Sequence, residues 1–240
     1  MAEQSAFKRY ELKYLLTQAQ KQSLLAGMAP HMEPDRHGKT TVRNLYYDTD
    51  TYLLIRRSIE KPTYKEKLRI RSYGVPENED TKVFFELKKK LSGVVFKRRA
   101  VLTQAEIKAF LKDRTRPRDC SYKNGIVLDE IEMFLSRHPD AYPKIFIGYD
   151  RLAFFAKDDP EVRITFDRNI LTRRENVDLT SGHYGTPLLE PGKVLVEIKI
   201  SETMPRWMVK LFSEAKIYRT SYSKYGTEYE RKVYHERNPE

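Results

Sequence analysis

At least six segments of the chain set charged, mostly basic, side chains on alternate residues with apolar side chains between them. With a period of two, R-Y-E-L-K-Y (9–14) puts Arg9, Glu11 and Lys13 on one face and Tyr10, Leu12 and Tyr14 on the other. K-E-K-L-R-I-R aligns Lys65, Lys67, Arg69 and Arg71 opposite Leu68 and Ile70. K-V-F-F-E-L-K aligns Phe84, Glu86 and Lys88, and V-V-F-K-R-R-A-V aligns Val95, Lys97 and Arg99. Tyr149 and Arg151 share a face in I-F-I-G-Y-D-R, as do Arg163, Thr165 and Asp167 in E-V-R-I-T-F-D-R. In K-V-L-V-E-I-K-I, Leu195, Glu197 and Lys199 oppose Val194, Val196, Ile198 and Ile200. Such alternation marks strands with one polar and one apolar face.

An antiparallel sheet with one face in water would show the same period. A solvated face mixes Ser, Thr, Lys, Glu and Gln, whereas here Lys and Arg recur strand after strand. The pattern predicts an α+β chain: a closed antiparallel barrel with a cationic lumen and helices packed outside. Inward-facing like charges repel in a low dielectric, so they are tolerable only beside water, carboxylates or an anionic ligand. The lumen is therefore expected to bind a multiply charged anion, and the filled barrel to be more stable than the empty one.

Lys plus Arg number 45 against 34 Asp plus Glu, a net charge of +11, which adds a general attraction to polyanions. A hydrophobic fraction of 40% excludes a wholly disordered chain. Helices are expected over 18–28 behind Thr17, over 49–60 with Asp48 as cap, after the Thr103/Glu106 capping-box pair, over 126–137, from Pro205 to Lys216, and over 225–236. Loops are expected at 29–40, 74–80, 113–124, 156–161 and 173–192. With no repeat and no linker composition, residues 1–240 read as a single domain. No apolar run reaches the roughly 20 residues of a membrane span, and no secretory signal opens the chain, so a cytoplasmic protein is expected.

Other site chemistries are missing from the sequence. It has no G-x-x-x-x-G-K-[ST], no G-x-G-x-x-G and no G-x-S-x-G. Its single cysteine, Cys120, excludes an intrachain disulfide and a cysteine-built zinc site. His31, His37, His138, His183 and His235 are never at metal-ligand spacing and read as surface residues. Hard oxygen ligands remain: Glu197 beside Lys199 is the leading candidate for a divalent metal, with Glu11, Glu86 and Asp167 also on charged faces. The alternative role of these acids is to neutralise neighbouring Lys and Arg.

The ordered series R-Y-E-L-K-Y, K-L-R-I-R-S-Y-G, F-F-E-L-K-K, V-F-K-R-R, Y-D-R-x-A-F, V-R-I-T-F-D, V-L-V-E-I-K and S-Y-S-K-Y-G resembles the VTC domain. This is the catalytic domain of vacuolar transporter chaperone polyphosphate polymerases, within the triphosphate tunnel metalloenzyme superfamily. The resemblance runs from about residue 7 to residue 230, and the short chain looks like the stand-alone bacterial members. It implies an eight-stranded triphosphate tunnel and an ATP-dependent, metal-dependent phosphotransferase that adds the terminal phosphate of ATP to polyphosphate. Carried over by motif, Arg69, Arg71, Lys88, Arg151 and Arg163 are the expected catalytic residues. Lys13, Lys97, Lys199, Ser223 and Lys224 are expected to bind phosphate, and Glu197 to hold Mn²⁺ or Mg²⁺.

One departure stands out: the superfamily has E-x-E-x-K on its first strand, and here Arg9 replaces the first acid. That agrees with the polymerase branch more than with a hydrolase using several metal-bound carboxylates. A tripolyphosphatase or nucleoside triphosphatase of the same fold, or a polyphosphate-binding module without turnover, are the alternatives. ATP and polyphosphate are the expected partners. The aromatic residues (16 Tyr, 11 Phe) could stack bases, but no single-strand-binding motif is present, so no specific nucleic acid is expected. The sequence leaves the oligomeric state and a membrane-protein partner open.

Overall fold

The computed structural model describes residues 10–92, 94–159, 161–201 and 203–237, with side chains up to residue 232 in the last helix. Arg9 and the side chain of His235 lie outside the described residues.

In chain order the elements are β1 (Tyr10–Leu16), α1 (Gln18–Met28), β2 (Met32–Asp48), α2 (Leu53–Ile59), β3 (Tyr64–Tyr73), β4 (Lys82–Leu91), β5 (Val94–Thr103) and α3 (Gln104–Asp113). Then follow α4 (Tyr122–Arg137), β6 (Tyr142–Ala156), β7 (Arg163–Arg173), β8 (Thr186–Pro187), β9 (Val194–Ile200), α5 (Arg206–Glu214), β10 (Arg219–Thr220) and α6 (Lys224–Arg237). The class is α+β, with one large sheet and six helices among the described residues. The hydrogen-bonded order is β10-β1-β9-β7-β6-β2-β3-β4-β5, with β8 beside β7. Among the described residues the hydrogen bonds do not close the expected eight-stranded barrel: nine strands follow an open path ending at β10 and β5, and the tenth, β8, pairs with β7 off that path. No helix among the described residues is long and apolar enough to cross a membrane.

The described chain divides into two compact units: residues 10–40, 149–170 and 187–223, and residues 41–148, 171–186 and 224–237. In the first, α1 and α5 cover the apolar faces of β1, β9 and β7. Leu24, Met28, Met208 and Phe212 pack with Tyr14, Leu16, Phe166, Val194, Val196 and Ile198. Gly27 lets the two helices meet, since a Cβ there would collide with the side chain of Leu211. In the second, α3 and α4 cover β3, β4 and β5, and Ile107, Phe110, Leu128, Ile131 and Phe134 bury Leu68, Phe85, Leu87, Ala100 and Leu102. A fully buried Phe or Leu contributes roughly 1.5–3 kcal/mol. The apolar half of each alternating strand is thus fixed under helices, which commits its charged half to the opposite face.

Helix starts follow local chemistry. Thr17 and Thr103 each form a reciprocal capping box, with Gln20 and Glu106. Ser121 caps α4 through Asn124 N–H, so this helix begins one turn before the expected position. The helix expected over 49–60 is confined to Leu53–Ile59 because Tyr52 turns into the left-handed region, at φ 57°. Asp48 still serves that helix: its buried carboxylate accepts from Leu54 N–H and Ile55 N–H at 2.9 and 3.0 Å. It also accepts from Tyr225 Oη on α6 at 2.9 Å. Two expected loops contain strands: 29–40 holds the start of β2, and 173–192 holds β8. Within the stretch expected as a loop, Gly38 takes φ 55° inside β2 and the strand continues.

Candidate functional site

In the unit built on β3, β4 and β5, register creates a cluster around one acid. Glu86 on β4 lies directly opposite Arg69 on β3 and Arg99 on β5. Its side chain is 1% exposed. Arg69 Nε donates to Oε2 at 2.7 Å and Arg99 Nε to Oε1 at 2.6 Å. Lys97 Nζ lies 3.0 Å from Oε1, and Arg71 Nε 3.8 Å from Oε2. One carboxylate therefore meets four cations. On the neighbouring rung of the same face Lys67, Lys88 and Lys97 stand side by side across three strands. Like charges directly opposite are destabilising unless an anion joins them.

β2 supplies the positioning groups. Tyr46 pairs in register with Arg69, and its hydroxyl accepts from Arg69 Nη1 at 3.0 Å. Asn44 Oδ1 accepts from Arg71 Nε at 2.8 Å, while Asn44 Nδ2 donates to the Ile147 carbonyl at 2.9 Å. The Arg99 guanidinium lies 4.2 Å from the Phe84 ring centroid.

The electrostatics follow from this geometry. Burial alone would raise the Glu86 pKa, but Arg69, Arg71, Lys97 and Arg99 together hold it far below the carboxylate range. Lys97 is lowered to about 8, by burial first and then by Arg99 and Arg71, against the pull of Glu86. Burial would raise Tyr46, yet Arg69, Arg71 and Lys224 bring it down to about 8. Lys224, the first residue of α6, thus adds its charge to this cluster.

The unit built on β1, β9 and β7 carries a cluster of different balance. Asp167, fully buried, takes a two-pronged pair from Arg151, with Nε to Oδ1 and Nη2 to Oδ2 both 2.7 Å. Arg151 Nη2 also lies 3.5 Å from Glu197 Oε2. Burial would lower the Arg151 pKa, but Tyr149, Asp167 and Glu197 raise it well above its ordinary value. Lys13 faces Glu197 in register, 3.7 Å from Oε1, and lies 3.3 Å from Glu11 Oε1. Its ammonium also donates to the Tyr222 carbonyl at 2.8 Å, beside Ser223. On the next rung Lys199 stands between Glu11 and Arg163, and Arg163 Nη2 reaches Asp35 Oδ2 at 3.3 Å. Here acids and bases are roughly matched.

The expected site residues are thus gathered in two groups. Arg69, Arg71, Lys88, Lys97 and Lys224 fall in one unit, and Lys13, Arg151, Arg163, Glu197, Lys199 and Ser223 in the other. Arg99 shared the alternating face but was not among the expected site residues. Tyr46 and Asn44 had no signal of their own, because their strand was not recognised. Glu86 acts as the neutralising acid that one reading of the sequence gave it.

Glu197, the expected metal ligand, is engaged by Lys13 and Arg151. Among the described residues no group of three or more His, Cys, Asp or Glu is placed to hold a metal ion. Its donor set is nevertheless of the right chemistry: Glu197 and Glu11 present hard oxygens around the same lysine. Such a set fits Mg²⁺ or Mn²⁺ if most of the remaining ligands are phosphate oxygens and water.

Comparison with known proteins adds three findings. The family model described as the VTC domain matches residues 8–232. No curated protein matches the sequence. Among solved structures, a candidate adenylate cyclase from Bacillus halodurans is similar at a TM-score of 0.51 and 14% identity, over 89% of this chain and 92% of that one. A candidate adenylate cyclase from Vibrio parahaemolyticus gives 0.48 and 14%, over 93% and 98%. A candidate adenylyl cyclase from Hippeastrum, with a dominant triphosphatase activity, gives 0.46 and 17%, over 90% and 92%. The Bacillus halodurans protein shares the fold of this chain.

Proposed function

The chain belongs to the VTC domain family, and we propose that it is a polyphosphate polymerase, transferring the terminal phosphate of ATP to a growing polyphosphate chain. The observation that carries this reading is the buried Glu86 carboxylate surrounded by Arg69, Arg71, Lys97 and Arg99. Four cations gathered on one face create a positive potential of the kind that attracts a multiply charged anion. Glu86 holds the guanidiniums in place before substrate arrives, which reduces reorganisation at the moment of reaction.

Arg69 and Arg71 are assigned to phosphate oxygens, since arginine gives permanently charged, forked contacts; Lys88, Lys97 and Lys224 add point charges. Lys13, Arg151, Arg163, Lys199 and Ser223 are assigned to phosphate binding in the other unit. The bond between the terminal phosphorus of ATP and its bridging oxygen breaks, a bond to the terminal oxygen of the polyphosphate chain forms, and ADP leaves. That attacking oxygen is already ionised, so no strong general base is needed, and the protein contributes positioning and charge neutralisation. A divalent metal, Mn²⁺ or Mg²⁺, on Glu197 with Glu11 beside it would neutralise phosphate oxygens when bound.

The test is incubation with ATP and Mn²⁺, followed by gel analysis of polyanion and measurement of free phosphate. Long polyphosphate that disappears in Arg69→Ala/Arg71→Ala, with circular dichroism unchanged, is the expected result. Free phosphate without polymer would make the protein a hydrolase. Neither product, with polyphosphate still bound, would make it a binding module.

A further inference from the structure

The free end of the β3–β4–β5 sheet is amphipathic: its lysines continue the face that carries the phosphate cluster, and most of its apolar side chains stand on the other. Its last rung is Tyr64, Leu91 and Val94, side by side across three strands. The rung behind it is Lys65, Lys90 and Val95, and the third carries Phe96. Tyr64, Leu91, Val94, Val95 and Phe96 are each between 38% and 48% exposed. Tyr64, Leu91, Val94 and Phe96 share one face of this projecting end, opposite Val95, and form a patch of the kind that marks an interaction surface.

Lysines hold the other face of the same end, one rung behind its tip. Lys65 is surrounded by Lys61, Lys88 and Lys90, and its pKa is lowered by burial first and then by those three charges. Its ammonium donates to the Ser58 carbonyl, a neutral partner. The acids on the patch's side are already engaged: Glu66 with Arg137, and Glu130 with Lys89 and Arg98.

We propose that this sheet end is a docking element for an anionic bilayer surface, with Tyr64, Leu91, Val94 and Phe96 entering the interface and Lys61, Lys65 and Lys90 meeting lipid headgroups. The second rung sits about 3.3 Å behind the first, within reach of lysine stems that bury their methylenes and keep the ammonium at headgroup level. A tyrosine at the rim suits the same depth. Charge selects the bilayer over a second copy of the chain. β5 is the edge of the sheet, and pairing it with another β5 would bring the consecutive Lys97, Arg98 and Arg99 of both copies together, which is repulsive.

The test is co-sedimentation of the full chain with phosphatidylcholine vesicles and with vesicles containing phosphatidylserine, at fixed salt. The wild type is expected on the anionic vesicles only. Lys65→Gln/Lys90→Gln should weaken binding about 25-fold, or about fivefold per lysine. Lys21→Gln/Arg168→Gln, which removes the same charge from the other unit, should not weaken it. Leu91→Ser/Val94→Ser/Phe96→Ser, with its charge intact, should also lose binding. Should that triple variant be unfolded by circular dichroism, Val94→Trp replaces it: its emission should shift to the blue on anionic vesicles. Equal loss in both charge variants would overturn the proposal, as would wild-type binding in the folded triple variant or an unmoved Val94→Trp spectrum. Self-association in the ultracentrifuge that the triple variant abolishes, without vesicle binding by the wild type, would assign the surface to a second copy instead.

Discussion

The two charged clusters use the same residue types and differ in arithmetic. Around Glu86, four cations share one buried acid. In the other unit, Arg151 is matched by Asp167 and Glu197, Lys13 by Glu197 and Glu11, and Arg163 by Asp35. Both stand on the face opposite a helix-covered apolar layer. Alternation therefore decides that a face is charged, and cross-strand register decides how many cations gather around each acid. The Glu86 cluster should take phosphate unaided, and the matched cluster should take it with the help of a divalent metal.

The largest effect that would break this contrast is on stability. Glu86→Gln is expected to cost about 3–5 kcal/mol in urea unfolding, because cations crowded on one face lose the buried acid between them. Added tripolyphosphate should restore part of it. Asp167→Asn leaves Arg151 with Glu197 and should cost about 1.5–3 kcal/mol. A smaller loss in the Glu86 variant than in the Asp167 variant would invert the comparison.

Next comes ligand linkage without metal. In chelator, tripolyphosphate at a hundredfold excess over its dissociation constant should stabilise the wild type by about 2.7 kcal/mol. Arg69→Ala/Arg71→Ala should abolish that gain. Glu197→Gln should leave it in place while raising the metal concentration for half-maximal turnover by about 10- to 100-fold, the range seen when support of a metal site is removed.

The smallest expected effect is on pH dependence. Lys97 and Tyr46 both titrate at about 8. As pH rises through that value, Lys97 loses a positive charge and Tyr46 gains a negative one, so anion affinity of this cluster must fall. Tyr46→Phe removes one of the two changes and should reduce the fall by about fivefold, from ~1 kcal/mol per partly screened charge. An affinity that rises with pH would show that these groups do not face the ligand.

The legible part of the molecule was the part written within single strands. Arg69 and Arg71, two residues apart on β3, declared their common face, and the apolar residues between them declared which side the helices cover. The capping boxes at Thr17 and Thr103 were equally local. What stayed hidden needed a second strand. Arg99 becomes a partner of Glu86 only through the β4–β5 register. Tyr46 and Asn44 enter only because Met32–Asp48 is a strand, whose first half was expected to be a loop. The open strand order has the same origin: alternation gives each strand two faces but not its neighbours, so it cannot say whether the last strand returns to the first.

The most direct test is a crystal structure of the chain with tripolyphosphate in chelator. Phosphate oxygens seated on Arg69, Arg71 and Lys97 are the expected result. An anion bound solely at Lys13, Arg151 and Lys199, with the four cations still closed on Glu86, would contradict the account.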